Sequence, residues 1–328
     1  MDGALRATGW LLRRLVLQVV PTLFAICTIN FFVLNLMPGD AVDALMSLSG
    51  SASEETMAAL RERFGLDQPL LSRYVAYITN VVQLQFGTSV LYGVPVLQII
   101  LERLSATLAL MVTALGIAYV VGVAVGWVMA AFSGRWPDRI LTVIVMLLYS
   151  APGFWVGLMA IALFSGQLGW LPSGGAESIG RDLQGWAWLG DRIRHLILPA
   201  MALAAFFIAI YARLTRAAML EALRQDYIRT AEAKGLHPFT LQFRHALRNA
   251  LIGVTTVAGL HAGNMLGGAV VVETVFSWPG LGRLMMTALV NRDFSLIMGV
   301  FLVSAVIMIV TNLLVDWITT LLDPRTAR

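Results

Sequence analysis

The sequence predicts an all-α integral membrane protein with six transmembrane helices and both termini on the cytoplasmic side. Three observations carry this: the composition, the lengths of the uncharged stretches, and the placement of the arginines. Of 328 residues, 58% are hydrophobic and only 13% charged, with a mean hydropathy of +0.78; soluble domains carry about 25% charged residues. Lipid rather than water must therefore solvate most of the surface, and in lipid a helix satisfies every backbone group internally.

Six uncharged stretches reach or approach the roughly 20 residues that a helix needs to cross the hydrocarbon. They run over Leu15–Met37, Leu104–Phe132, Ile140–Leu168, Leu196–Tyr211, Leu251–Val272 and Phe294–Val315. The first has no small-residue cleavage site after it and reads as a retained helix, not a signal peptide. The fourth is short and carries Pro199 near its start, so it extends to residue 215, with Arg213 snorkelling to the interface. The sixth extends to residue 318. The expected layout is an N-terminal segment 1–14, spans 15–37, 104–132, 140–168, 196–215, 251–272 and 294–318, and a tail 319–328. Outer segments cover 38–103, 169–195 and 273–293, and the long inner loop is 216–250. The inner segments hold 14 of the 23 lysines and arginines, seven of them between Arg213 and Arg248. The outer segments are longer in total and carry most of the acids, among them Asp40, Asp43, Glu54, Glu55, Glu62 and Asp67. That bias places both termini inside.

The elements follow in order. Cys27, the single cysteine, lies in an apolar run and excludes an intrachain disulfide. "MPGD" (Met37–Asp40) ends the first span, because proline and glycine cannot continue it. Ser51 and Glu54 have capping-box spacing and Gly65 is a stop, which predicts a surface helix over 53–64. Gly122 and Gly126, four apart, read as a packing stripe. In the fifth span His261 and Asn264 share a face among small residues; they either bond a neighbouring helix or face a pathway. At its outer end Phe276 and Trp278 suit an interfacial aromatic belt, and Pro279, Gly280 and Gly282 a turn that folds back. Glu273 there reaches headgroup water, pairs with Arg283, or meets a charged substrate.

The inner loop is longer than topology alone requires. Met219–Lys234 is rich in helix formers, with Leu220, Leu223, Tyr227 and Ala231 recurring every three or four positions, Gly235 as a stop, and Pro238 opening a new turn. This predicts a helix, a glycine–proline turn and a second short helix at the membrane surface. The apolar face needs a cover, either the headgroup boundary or a groove on a partner protein.

Several function classes are disfavoured. Lys234, the only lysine, stands between alanine and glycine, so no P-loop exists and the chain hydrolyses no ATP unaided. None of the six stretches carries Asp, Glu, Lys or Arg, which argues against a proton- or sodium-coupled carrier. No GxSxG element, HExxH pair or metal-spaced Cys/His cluster appears, so neither an enzyme nor a metal site is expected. The net charge of +4 follows from topology and implies no nucleic-acid partner.

The runs "DYIRTAEAKGL" (Asp226–Leu236) and "RHALRNAL" (Arg244–Leu251) resemble the EAA loop of bacterial ABC-importer membrane subunits, most closely the dipeptide, oligopeptide and nickel branch. The generic motif aligns Arg229, Thr230, Ala231 and Gly235, of which only Ala231 and Gly235 match it; the branch form, with an "RTA.AKGL" core, matches far better. Gly253 stands where the branch has proline, leaving open how the fifth helix starts. In the same order, "FFVLNLMPGD", "GLDQPLLSRY", "FGTS", "SAPGFWVGL", "HLILPAMAL", "VVETVFSWPGLGRL" and "LLVDWITTLLDPR" resemble segments of that subunit, so the likeness covers essentially the whole chain.

The resemblance implies the type I ABC-importer permease fold, with a permease domain over residues 100–320, in a bacterial inner membrane. It implies the first of two homologous permeases enclosing a pore, two ATP-binding subunits below and a solute-binding protein outside, for which the 53–64 helix is either a contact or only a solvated cover. It also implies that ATP and Mg are held by the ATP-binding subunits, with no cofactor in this chain. Coupling then falls to Arg229, Thr230, Ala231, Glu232, Ala233, Lys234, Gly235, Leu236, Arg244 and His245, with a docking face centred on Ala231–Leu236. His261, Asn264 and Glu273 are the pathway candidates. Di- and oligopeptides lead as substrate, before nickel, glutathione or another small solute, and a stand-alone channel or carrier is the rival reading.

Overall fold

The computed structural model describes residues 19–36, 42, 54–63 and 67–322. Among them the chain is helical, with one isolated bridge between Thr88 and Pro95. In chain order the helices are α1 (Val20–Asn35), α2 (Glu54–Arg63), α3 (Leu70–Val82), α4 (Val96–Ala131), α5 (Trp136–Ser150) and α6 (Gly153–Gln167). They continue with α7 (Gly185–Ala222), α8 (Asp226–Ala233), α9 (Pro238–Val275), α10 (Leu281–Val290) and α11 (Phe294–Leu322). Four of these, α4, α7, α9 and α11, are long and apolar enough to span a membrane alone, and the bent pair α5–α6 adds a fifth when counted as one span. The surface helix expected over 53–64 is α2, whereas Ser51, Gly65, Met37–Asp40, the N-terminal arginines and the tail after Leu322 lie outside the described residues.

Several helices differ in extent from the expected stretches. The helix that carries the second stretch begins at Val96, ahead of Leu104, because a charge ends an uncharged stretch but not a helix: exposed Glu102 accepts a bond from Gln98 one turn before it. The third is not one rod, since α5 and α6 meet at 109°. Ala151 (ψ 132°) and Pro152 (ψ 135°) are extended there, as the residue before a proline is pushed out of the helical region. The fourth starts at Gly185 and holds Pro199 in its interior. The single helix expected over Met219–Lys234 is two, because Gln225 (ψ 150°) is extended and Asp226 supplies a negative charge to a new helix N-terminus. The fifth starts at Pro238, passing through wider i→i+5 turns at Leu241–Leu247, and runs unbroken past Gly253, which retains the N–H a proline would lack. The segment 273–293, expected as a turn, contains a ten-residue helix, α10.

The chain divides into two compact units, residues 1–105 with 284–309, and residues 106–283 with 310–328. In the first, α1 and α3 pack through aromatic rings: Phe31 stacks on Tyr77 (5.6 Å) and meets Tyr74 edge-on (5.3 Å), while Thr28 and the Tyr74 hydroxyl share a 2.8 Å hydrogen bond. Buried Asp293 caps α11 by accepting from Leu296 N and also receives Ser89 Oγ and Leu91 N, which fixes the loop after α3.

The second unit is built around α7. Two-thirds (67%) of its apolar window is buried inside the chain, against 28% for α4 and 33% for α9, so it is a core helix packed by α5, α6 and α9. Small side chains at Ala200, Ala204, Ala205, Ala209 and Ala212 allow that approach, since helix contact in lipid rests on close packing. Gly122 and Gly126 of α4 do form the expected stripe: a Cβ on Gly122 would lie 2.7 Å from Tyr211 Cβ, and one on Gly126 2.6 Å from Thr215 Cβ.

Candidate functional site

The charged loop is an ordered structure. Helix α8 turns Ile228 and Ala231 inward and packs on the widened first turns of α9, leaving Arg229, Thr230, Glu232, Ala233 and Lys234 exposed. Its start is tied locally, with Thr230 Oγ1 donating to Asp226 O (3.0 Å) and Arg229 3.6 Å from the Asp226 carboxylate. At its end Gly235 N bonds Glu232 O and Leu236 N bonds Ala231 O, the paired bonds of a Schellman cap. That cap requires a left-handed residue, and Gly235 has φ +77° with open space where a Cβ would sit. His237 then caps the next helix, its Nδ1 accepting from Phe239 N, and Pro238 follows at the first position, where its missing N–H costs nothing.

This turn is rooted in the spans. Phe239 and Phe243 stack at 5.7 Å, and both meet the ring of Trp127 edge-on at 5.9 and 6.5 Å. Behind them Ala130, Met219, Ala222, Ala246, Leu247 and Ala250 form a small buried cluster joining the ends of α4 and α7 to the start of α9. Asn249 Nδ2 donates to the Tyr227 hydroxyl (2.6 Å). On α7, Arg216 grips buried Asp138 with two hydrogen bonds of 2.7 and 2.8 Å, while Gly134 N donates to the same carboxylate. Neither the aromatic cluster nor this fork was among the expected site residues. Asp138 stands at the charged edge of an apolar stretch and Trp127 inside the end of another, positions that name no partner.

Of the expected coupling residues, Ala231 is buried in its own chain, His245 is half-buried, and Arg244 and Leu236 are exposed. The large exposed apolar residues of the loop are Tyr227, Leu236, Phe239 and Phe243. The pathway candidates separate. His261 lies between the rings of Phe207 (5.4 Å) and Tyr211 (5.8 Å), whereas Asn264 is exposed.

Glu273 is fully buried, not open to headgroup water. It accepts from Thr107 Oγ1 (2.7 Å), Gly282 N (2.7 Å) and Arg283 N (3.1 Å), so the carboxylate closes the N-terminus of α10. Gly280 passes directly against it, leaving no room for a Cβ. The aromatic belt is also corrected: Phe276 and Trp278 are core residues, and the Trp278 indole donates to Ala106 O (2.9 Å). An indole suits a belt and a core equally well when one buried carbonyl can receive its N–H.

Residues 122–328 match the family described as "Binding-protein-dependent transport system inner membrane component", and residues 8–111 match the N-terminal region of such membrane components. The chain is 40% identical over 316 residues to the probable peptide ABC transporter permease protein y4tP of Sinorhizobium fredii, covering 96% of this chain and 98% of that one. It is 38% identical over the same length, with the same coverage, to the glutathione transport system permease protein GsiC of Escherichia coli K12. In fold it is similar to a chain of the inward-facing MetNI methionine ABC transporter, with a TM-score of 0.56 at 17% identity over 69% of this chain and 97% of that one. The chain belongs to the binding-protein-dependent transport system inner membrane component family.

Proposed function

We propose that this permease subunit forms half of a peptide-conducting pore and couples it to ATP-binding subunits through the loop Asp226–Phe243. In this proposal the subunit has six spans with both termini inside, works with a homologous second permease and a solute-binding protein outside, and relies on two partner subunits to hold ATP and Mg. Peptides lead as substrate because the relatives at 38–40% identity over nearly the full length are named for peptide or glutathione transport. One observation carries the coupling role: an exposed apolar set, Tyr227, Leu236, Phe239 and Phe243, is held on a capped turn rooted by Trp127 in α4. A mobile loop would absorb a pull; this one passes it to α4, α7 and α9. The face that docks is therefore centred on Leu236–Phe243, with Ala231 setting the turn from behind.

In mechanism, ATP closes the paired ATP-binding subunits, the docked turn moves with them, and the spans reorient so that solute taken up outside is released inside. Only a loop that binds the two ATP-binding states with different affinity shifts the equilibrium. Reconstitution tests this. Liposomes holding both permeases, the ATP-binding subunits and the solute-binding protein should take up peptide only with ATP, and liposomes with this chain alone should pass none. Solute flux through the chain alone would show a channel or carrier instead.

A further inference from the structure

A cavity of about 700 Å³ lies in the second unit, among α4, α5, α7 and α9. Its walls are largely apolar, with Val145, Met146, Ile210 and Leu214, while Arg213 and Arg216 contribute positive charge and no acidic side chain lines it. Arg216 is neutralised by its fork to Asp138. Arg213 has no hydrogen bond or ion pair among the described residues; its guanidinium lies 5.4 Å from the ring centre of Tyr149, within cation–π range. The cavity thus presents one cation without a carboxylate partner, beside a mostly apolar wall that also includes His261. Next to it α5 exposes Ile140, Val143, Met146 and Leu147, between 51% and 65% accessible, a continuous greasy strip.

We propose that this cavity holds an anionic phospholipid, its phosphate against Arg213 and one acyl chain along Val145, Met146, Ile210 and Leu214. An unpaired arginine beside an apolar wall fits an amphipathic anion, and basic pockets between spans near the arginine-rich side suit acidic headgroups. A peptide or amino acid fits less well, because its free ammonium group would meet no carboxylate here. The proposal rests on α5 and α7 crossing the membrane, but not on what the transporter carries.

The test uses the full chain in mild detergent, offered equal amounts of phosphatidylglycerol and phosphatidylcholine with matched acyl chains, with bound lipid counted by native mass spectrometry. The wild type should retain phosphatidylglycerol preferentially. Arg213→Gln should lower that retention about fivefold, the loss of one arginine at an anionic headgroup, and leave phosphatidylcholine unchanged. Equal retention of the two lipids by the wild type, or unchanged phosphatidylglycerol binding by Arg213→Gln, would overturn the proposal. Should Arg213→Gln lose helix content, Met146→Trp narrows the acyl-chain wall with the charge intact and should lower retention of the lipid; unchanged retention by that variant also overturns the proposal. An Arg213→Gln variant that keeps its lipid but halts uptake in the assembled transporter would assign the cavity to cargo. Failure of uptake by the wild-type assembly would remove the transport reading and leave the lipid result standing.

Discussion

Gly235 concentrates the coupling argument in one torsion angle. Its left-handed backbone closes the Schellman bonds to Ala231 and Glu232, and space is open where a Cβ would stand, so a substitution there is penalised by conformation and not by collision. Asparagine visits this region readily, while a β-branched residue is penalised by at least the 1–2 kcal/mol typical of the left-handed form. Gly235→Asn should therefore keep ATP-driven uptake near wild type and Gly235→Val should lose most of it, with assembly checked by co-purification. Glu273 makes a contrasting case, in which the role is structural. Glu273→Ala removes the acceptor of buried Thr107 Oγ1 and Gly282 N and should destabilise the chain by about 3 kcal/mol, seen as a lower melting temperature in detergent. Glu273→Gln should recover part of that loss, because its carbonyl oxygen still accepts.

Helix α7 succeeds as a core helix because small residues on it and on α4 let the two meet closely. Gly126→Leu would drive a side chain into Ala212 and Thr215, and overpacking of this kind costs about 1–3 kcal/mol, so thermal melting of the variant should fall while Gly116→Leu, where a Cβ meets open space, leaves it unchanged. The glycine stripe was legible because spacing on one helix face is a local property. So were the stop at Gly235 and the start at Pro238, which depend on single-residue torsions. The break at Pro152 carried its signal too, but an uninterrupted apolar stretch outweighed it. Glu273 could not be read: its partner Thr107 is 166 residues away, and the sequence around each shows only a polar residue at the edge of a span. Phe276 and Trp278 failed for a related reason, since aromatic residues near a span end look alike whether they face lipid or a carbonyl from another helix.

Across the described residues, one physical device recurs: several groups at the edges of the apolar helices are each anchored by a specific partner. Asp138 holds Arg216, Asp293 caps α11, Glu273 closes α10, and the Phe239–Phe243 pair seats on Trp127. Fold class was the most legible feature, because composition and span length act over the whole chain, while helix ends and buried networks depended on contacts between distant segments. The central claim is that the exposed side of the Asp226–Phe243 loop is where an ATP-binding subunit docks. The most direct measurement places a photoreactive side chain at one position at a time in the assembled transporter and identifies what it captures. Positions Leu236 and Phe239 should each yield a covalent product with an ATP-binding subunit whose amount changes when ATP is added, while Ile228, buried in its own chain, yields none. Capture of lipid alone from Leu236 and Phe239, or an equal yield from Ile228, would contradict the account.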